Sequence, residues 1–379
     1  MDPTIPLRIL QVAGGLPRWA GTEKYVLDIS GALAARGHSV TLACPRDSVL
    51  ARRADELGLR RIVFEMRSAY DWRQFPGLLR ALTGNYDVVH THSPLDYVVP
   101  AVAARIGRMR GIVMTRHMPH PFASPLNARI CAPVLYDRII AVSGFIRTVL
   151  VESGSQPRRI EVVPNGIVPV NADPDAGIRL RHDLGIPQDA ILVAAAGRIS
   201  SDKGFDVLLK AVRQLHAGGI SLYCAIFGSG QHLEQLRALA ADLEIDSVVR
   251  LPGFRDDVYD LWRAADIAVV PSVWPEPFGY SALEALSAGC AVVASRVGGL
   301  AEVVSSESAI LTEPSDVQGV AAAIRELVSL PELRSRMQQA ARQRAAAFTL
   351  DANAAAVERV YASALGGNGP PTTTAEQLP

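Results

Sequence analysis

Short apolar runs alternate along this chain with longer stretches whose apolar positions recur every third or fourth residue. The runs read as buried strands and the longer stretches as amphipathic helices, the rhythm of a parallel sheet covered on both faces. Strands are expected at 8–13, 39–43, 62–64, 87–91, 112–115, 138–142 and 160–163, with a helix at 22–36 ending on Gly37, a suitable left-handed cap. A second series follows at 190–196, 222–227, 248–251, 267–271 and 291–294, with helices at 206–216, 232–243 and 281–288. Between the series, near 169–177, Pro164, Pro169 and Pro174 punctuate a segment without periodicity. Two doubly wound α/β domains are therefore expected, residues 1–170 and 171–349. Ligands in such sheets bind outside the carboxyl ends of the strands, so two facing domains would share a central cleft. A last helix at about 350–365 is expected to cross back onto the first domain, and the Gly-, Pro- and Thr-rich stretch 366–379 to be disordered.

Composition adds limits. A chain of 379 residues is long for a single core, and at 49% apolar and 20% charged it is globular. No stretch approaches the roughly 18 uninterrupted apolar residues of a membrane helix. The first six residues lack a basic start and an apolar signal core. Cys44, Cys131, Cys224 and Cys290 stand singly among apolar neighbours and read as buried, reduced thiols, which together suggests a cytoplasmic protein. Net charge is zero, but residues 1–170 carry 21 Lys+Arg against 13 Asp+Glu, or +8, which leaves 17 against 25, or −8, for the remainder. The first half is thus expected to meet something anionic, with Arg105, Arg108 and Arg110 as its densest group. These arginines could equally solvate a helix end or pair with acids of the second domain. Nucleic acid is a poor fit, since no aromatic residues interleave the basic ones.

Two segments carry candidate chemistry. In the first, Pro277 keeps Glu276 out of helical geometry, so Glu276 belongs to a loop, while Glu284 rides in the early turns of the helix that ends at Gly289. Carboxylates beside the unsatisfied N–H groups of a helix start suit a polyhydroxylated ligand, because each can accept from two neighbouring hydroxyls. In the second, Arg198 and Lys203 emerge with Gly197 and Gly204 from the carboxyl end of an apolar strand. Two cations on one loop match a diphosphate, with Arg able to bind it bidentately and Lys acting as a point charge.

Together these segments resemble the retaining glycosyltransferases of the GT-B fold, family-4 type, whose signatures are a glutamate pair spaced like Glu276 and Glu284 and a Gly-Arg…Lys-Gly phosphate loop. Further likenesses run through the chain: Arg36, Gly37, His38 and Val40; Asp87 to His92; Thr115, Arg116 and His117; Ser143; Asn165 and Gly166; Gly228 and Gly230; Gly253 and Phe254; Gly298 to Glu302. The resemblance implies two Rossmann-like domains facing a central cleft, a nucleotide-diphosphate sugar as donor bound by the second domain, and an acceptor bound by the first. It implies that Glu284 holds the donor ribose, and that Glu276 with the N–H groups of Phe278, Gly279 and Tyr280 holds the transferred sugar. Arg198 and Lys203 would neutralise the diphosphate, Phe254 and Arg255 would lie in the base-binding loop, and His117 would stand near sugar and acceptor. Gly21 matches the second glycine of a phosphate-facing turn, with Ala20 in place of the first. No cofactor and no metal are expected. The acceptor would be a cell-envelope glycan or lipid-linked precursor, reached by peripheral contact with the inner face of a membrane.

Two features suggest a metal but are read otherwise. His90, His92, His117 and His120 lack a complete ligand set, and His90 and His92 are read as pointing to opposite faces of their strand. Asp173 and Asp175 mimic a metal-binding Asp-x-Asp but lie in the linker, with no strand to place them. The competing functions are a nucleotide-sugar epimerase or hydrolase of the same architecture, which lacks the glutamate pattern, and a non-catalytic sugar-nucleotide-binding protein.

Overall fold

The computed structural model describes residues 5–14, 21–122, 127–168, 173 and 175–366. Ala20, Pro169, Pro174 and the tail from 367 onward lie outside the described residues. The chain divides into two compact units, one of Met1–Gly166 with Leu350–Pro379 and one of Ile167–Thr349.

The first unit is built on seven parallel strands: β1 Arg8–Val12, β2 Ser39–Cys44, β3 Arg60–Val63, β4 Val88–Thr91, β5 Gly111–Arg116, β6 Arg138–Ala141 and β7 Ile160–Val162. Their order is β3-β2-β1-β4-β5-β6-β7. Strands β4 and β5 are buried at every position, as a sheet with helices on both faces requires. The edge strand β3 begins two residues before the apolar run that marks it, because Arg60 and Arg61 pair with Thr41 and Leu42. An edge strand tolerates polar residues that a central strand would not.

Helix Leu350–Ala364 belongs to this unit and closes it. Its Val357, Val360 and Tyr361 are fully buried. Glu358 is gripped by Arg36, whose Nε and Nη2 donate to its two carboxylate oxygens at 2.7 and 2.8 Å. His38 Nε2 meets the same carboxylate at 3.0 Å, while its Nδ1 accepts from the Leu7 N–H. Burial pushes the Glu358 carboxyl up, and the bonds from Arg36 and His38 more than offset this, leaving it below the usual range. The Arg-Gly-His stretch is thus a clamp on the closing helix. Arg36 also reaches Asp351 at 2.6 Å, and Asn353 Nδ2 donates to the Pro164 carbonyl.

The second unit holds six parallel strands: β8 Leu192–Ala196, β9 Tyr223–Phe227, β10 Val249–Gly253, β11 Ile267–Val270, β12 Ala291–Ser295 and β13 Ala309–Thr312, in the order β10-β9-β8-β11-β12-β13. The last of these escaped the apolar pattern because it is a four-residue edge strand only partly buried. Leu208, Leu209, Val212 and Leu215 of helix Phe205–Ala217 pack with Ile226, Val269 and Val293 in its core.

Of the four cysteines, Cys44, Cys224 and Cys290 are buried thiols; Cys131 is exposed, which corrects the expectation for that residue. It stands in the short turn Asn127–Cys131, whose neighbours Arg129 and Ile130 are exposed too. Arg105 bonds to Asp137 at 2.7 Å and to the Val134 carbonyl. Its acidic partner therefore lies in its own unit, while Arg108 and Arg110 remain exposed.

Candidate active site

In the second unit the strand order reverses between β8 and β11, and open parallel sheets bind ligands at such a reversal. The loop after β8 carries Arg198 and Lys203, and the loop after β11 carries Glu276. Lys203 Nζ lies 2.5 Å from Glu276 Oε1, and Ser272 Oγ donates to that same oxygen at 2.5 Å. The loops are also joined by backbone. The N–H groups of Val273 and Trp274 donate to the Asp202 carbonyl at 3.0 and 3.3 Å, and that of Gly299 to the Glu276 carbonyl at 2.7 Å. Gly204 makes the approach feasible: its φ is +64°, and a Cβ there would lie 2.0 Å from the Pro271 carbonyl oxygen. Arg198 pairs with Asp202 at 2.9 Å, yet its side chain is 68% exposed. Burial pushes Asp202 up, but the Ser200 hydroxyl and the charges of Arg198 and Lys203 hold it below the usual carboxylate range.

Helix Tyr280–Ala288 starts on Gly279 and is anchored by Leu283 and Leu286, both fully buried. Ser281 Oγ donates to the Ala196 carbonyl at 3.0 Å, fixing the helix start to the end of β8. Glu284 is half-buried and accepts from the Tyr259 hydroxyl at 3.4 Å. Phe278 is buried, its ring 5.6 Å from that of Tyr280. Beyond β10, Phe254 is 63% exposed, and Arg255 forms a fork on Asp257 at 2.8 and 2.5 Å while lying 5.5 Å from the centre of the Phe227 ring.

The first unit holds a different arrangement behind the ends of β1, β4 and β5. His117 Nε2 is 3.3 Å from His92 Nδ1, and His92 Nε2 is 2.7 Å from Gln11 Oε1. Gln11 Nε2 donates to the Tyr361 hydroxyl at 3.1 Å. That hydroxyl is 2.7 Å from His90 Nδ1, and His90 Nε2 is 2.7 Å from Thr115 Oγ1. Tyr25 packs edge-on against the His117 ring at 4.9 Å. Burial pushes the His117 imidazole down to about 3, and burial with the neighbouring His117 does the same to His90. Nearby, Asp96 accepts from the Gly14 N–H at 3.0 Å and from Ser93 at 2.7 Å, and burial raises its carboxyl to about 7.

Residues 178–344 match the family described as "Glycosyl transferases group 1", and residues 19–170 match "Glycosyltransferase Family 4". A D-inositol 3-phosphate glycosyltransferase of Acidothermus cellulolyticus is 31% identical over 91% of this chain and 86% of its own length. The chain belongs to the family-4 glycosyltransferases. A glycosyltransferase of Rickettsia africae shares the fold at a TM-score of 0.86 and 21% identity, covering 96% of this chain and all of that one. Anabaena HepE in complex with UDP shares it at 0.83 and 22%, over 94% of this chain and all of its own; the same protein with UDP-glucose does so at 0.79 and 23%, again over 94% of this chain and all of its own. Both units are thus the Rossmann-like halves of a GT-B glycosyltransferase.

Within this glycosyltransferase, the second unit brings Lys203 and Glu276 into direct contact and places Arg198 on the same loop as Lys203. Glu284 stands apart from that pair, on the helix. Gly21 opens helix Gly21–Ala35 and is exposed. The histidine reading needs correction. His90 and His92 share a face, with ring centres 4.1 Å apart, because positions two apart in a strand point the same way. His120 is exposed and outside the group. Among the described residues no three His, Cys, Asp or Glu side chains form a metal-holding set. Asp173 accepts from the Asp175 N–H at 2.9 Å and pairs with Arg179 at 2.5 Å.

Sequence reasoning missed Ser272, Tyr259, Gln11 and Tyr361. Gln11 had a signal, being the one polar residue among the four buried positions of its strand. Tyr361 had none, since its partners lie hundreds of positions away.

Proposed function

We propose that this glycosyltransferase moves a hexose-type sugar from a nucleotide-diphosphate donor to an anionic acceptor, with retention of configuration and without a metal. The observation that carries the reading is the meeting of Lys203 and Glu276 at the strand reversal of the second unit. An ammonium group has three donors, so Lys203 can keep Glu276 and still reach a phosphate oxygen. Arg198, largely exposed, is available to the same diphosphate. Positive charge there stabilises the leaving group as its bond to the sugar breaks. Glu276, with the N–H groups of Phe278, Gly279 and Tyr280, holds the sugar hydroxyls; Glu284 holds the ribose. Phe254 and Arg255 flank the base, the Gly21 amide faces phosphate, and His117 faces the sugar. In the transfer, the acceptor oxygen bonds to the anomeric carbon on the face the phosphate leaves, and a phosphate oxygen takes the acceptor's proton.

The UDP and UDP-glucose complexes of the Anabaena protein support a uridine nucleotide as donor. The relative's name supports a phosphorylated polyol as acceptor, as does the +8 charge of residues 1–170. A lipid-linked phosphosugar would meet the same charge, with Arg108 and Arg110 beside exposed Ile106 docking on an anionic bilayer.

Nucleotide release from UDP-glucose, UDP-N-acetylglucosamine and GDP-mannose, with inositol phosphate or a lipid-linked phosphosugar as acceptor, tests the reaction, and NMR of the product gives its anomeric configuration. Activity abolished by EDTA and restored by Mg²⁺ or Mn²⁺ would overturn metal independence, and an inverted product would overturn retention. Sedimentation with anionic but not neutral vesicles at low salt, lost as salt rises, supports the lipid-linked acceptor; no sedimentation favours the soluble one.

A further inference from the structure

The side chains behind His117 form one continuous file of hydrogen bonds: His117, His92, Gln11, Tyr361, His90 and Thr115. The three imidazoles are buried, and burial disfavours their charged forms. Each is therefore neutral, with one nitrogen donating and the other accepting. The direction of the file then follows from Gln11. Its contact with the Tyr361 hydroxyl is 3.1 Å, a separation that suits N–H···O and is long for O–H···O. The amide nitrogen thus faces Tyr361, and the amide oxygen faces His92 Nε2, which must carry the hydrogen. His92 Nδ1 then bears a lone pair and accepts from His117 Nε2. In the other direction the tyrosine hydroxyl donates to His90 Nδ1, and His90 Nε2 donates to Thr115. Every donor points away from His117. The one nitrogen left over is His117 Nδ1, which has no partner among the described residues, on a residue that is 8% exposed.

We propose that His92, Gln11 and Tyr361 are positioning residues that hold His117 in its Nε2–H form, so that Nδ1 is presented as a hydrogen-bond acceptor for a ligand hydroxyl. The ligand half of this rests on the reading of His117 as facing the sugar; the tautomer does not. An acceptor nitrogen selects a hydroxyl and rejects a carbonyl or phosphate oxygen, which has no hydrogen to give. Reversing the file requires the Gln11 amide to rotate and every proton in the file to move, so the two states differ as a unit. Because Tyr361 sits on the closing helix Leu350–Ala364, seating of that helix is read out at His117.

The test is long-range ¹H–¹⁵N correlation on the full, ligand-free chain labelled at histidine, with His117 assigned from the signals lost in His117→Asn. The expected result is a neutral His117 ring with hydrogen on Nε2, unchanged from pH 6 to 8. Tyr361→Phe keeps the ring but removes the hydroxyl, and should shift His117 toward a mixture of both tautomers, at least one part in five Nδ1–H. Gln11→Glu still accepts from His92 and should retain the wild-type tautomer. Wild-type His117 found as Nδ1–H or as imidazolium overturns the proposal, even if no variant folds. So does a Tyr361→Phe variant, folded by circular dichroism, whose His117 signals do not change. Loss of the transferase reading would leave these spectra unaffected, and the reverse also holds.

Discussion

At the strand reversal of the second unit, charged side chains meet on loops: Lys203 with Glu276, Arg198 with Asp202, each partner partly open to solvent. At the equivalent reversal of the first unit, between β1 and β4, buried polar side chains, their three imidazoles neutral, are strung into one file from His117 to Thr115. The same winding therefore supports two chemistries. Charges on loops keep much of their hydration and stay available to a charged ligand. Polar groups in the interior lose hydration and persist only when nearly every donor finds an acceptor. The second unit is thus suited to hold a diphosphate, and the first to fix the orientation of one ring.

The contrast is broken most severely by removing charge from the second unit. Lys203→Ala is expected to lower kcat by about 10²–10³-fold, the range for loss of one transition-state donor, with little change in the thermal midpoint. A fall of less than fivefold would take Lys203 out of the reaction. Glu284→Ala should weaken donor binding by roughly 2–3 kcal/mol, judged from hydrogen bonds to charged groups. Calorimetric titration showing undiminished affinity in the folded variant would remove Glu284 from the site.

A change in the first unit should act on stability instead. Glu358→Ala leaves Arg36 and His38 without their carboxylate. Breaking a buried pair costs about 3–5 kcal/mol, and the partial exposure of Arg36 lowers the expectation to about 2 kcal/mol. Urea unfolding should show this loss while UDP affinity, proposed above to rest mainly on the second unit, is retained. If UDP affinity falls in step with stability, the two units are not separable in this way.

A further test is in pH. His90 and His117 titrate near 3 in the fold against about 6.5 unfolded, so the stability they contribute is present above pH 6.5 and lost as pH falls toward 3. Asp96, raised to about 7, works the other way: its contribution is present below about 3.9 and lost as pH rises through 7. Between pH 4 and 6.5 the histidines outnumber it, so the urea midpoint should rise with pH. Asp96→Asn should make that rise steeper. An unchanged slope would mean Asp96 is ionised in the fold.

Much of this was legible along the chain. The apolar runs marked twelve of the thirteen strands, and Pro277 with Gly289 bounded the helix that bears Glu284. Local rules suffice there, because a buried parallel strand must be apolar and proline cannot donate. Strand β13 and the start of β3 were illegible because edge positions relax that demand. The Arg36 and His38 motif could be seen, but not its purpose, since Glu358 stands 322 positions from Arg36.

By itself, then, the sequence determined the two α/β units, the order of their elements and the loops that carry Arg198, Lys203 and Glu276. Each of those follows from side-chain periodicity and backbone chemistry within a few residues. Tertiary structure alone decided that Lys203 touches Glu276 and that Gln11 and Tyr361 meet the face His90 and His92 share. Hydrogen bonds are short and directional, so a partner 350 residues away, as Tyr361 is from Gln11, exists only once the closing helix has docked.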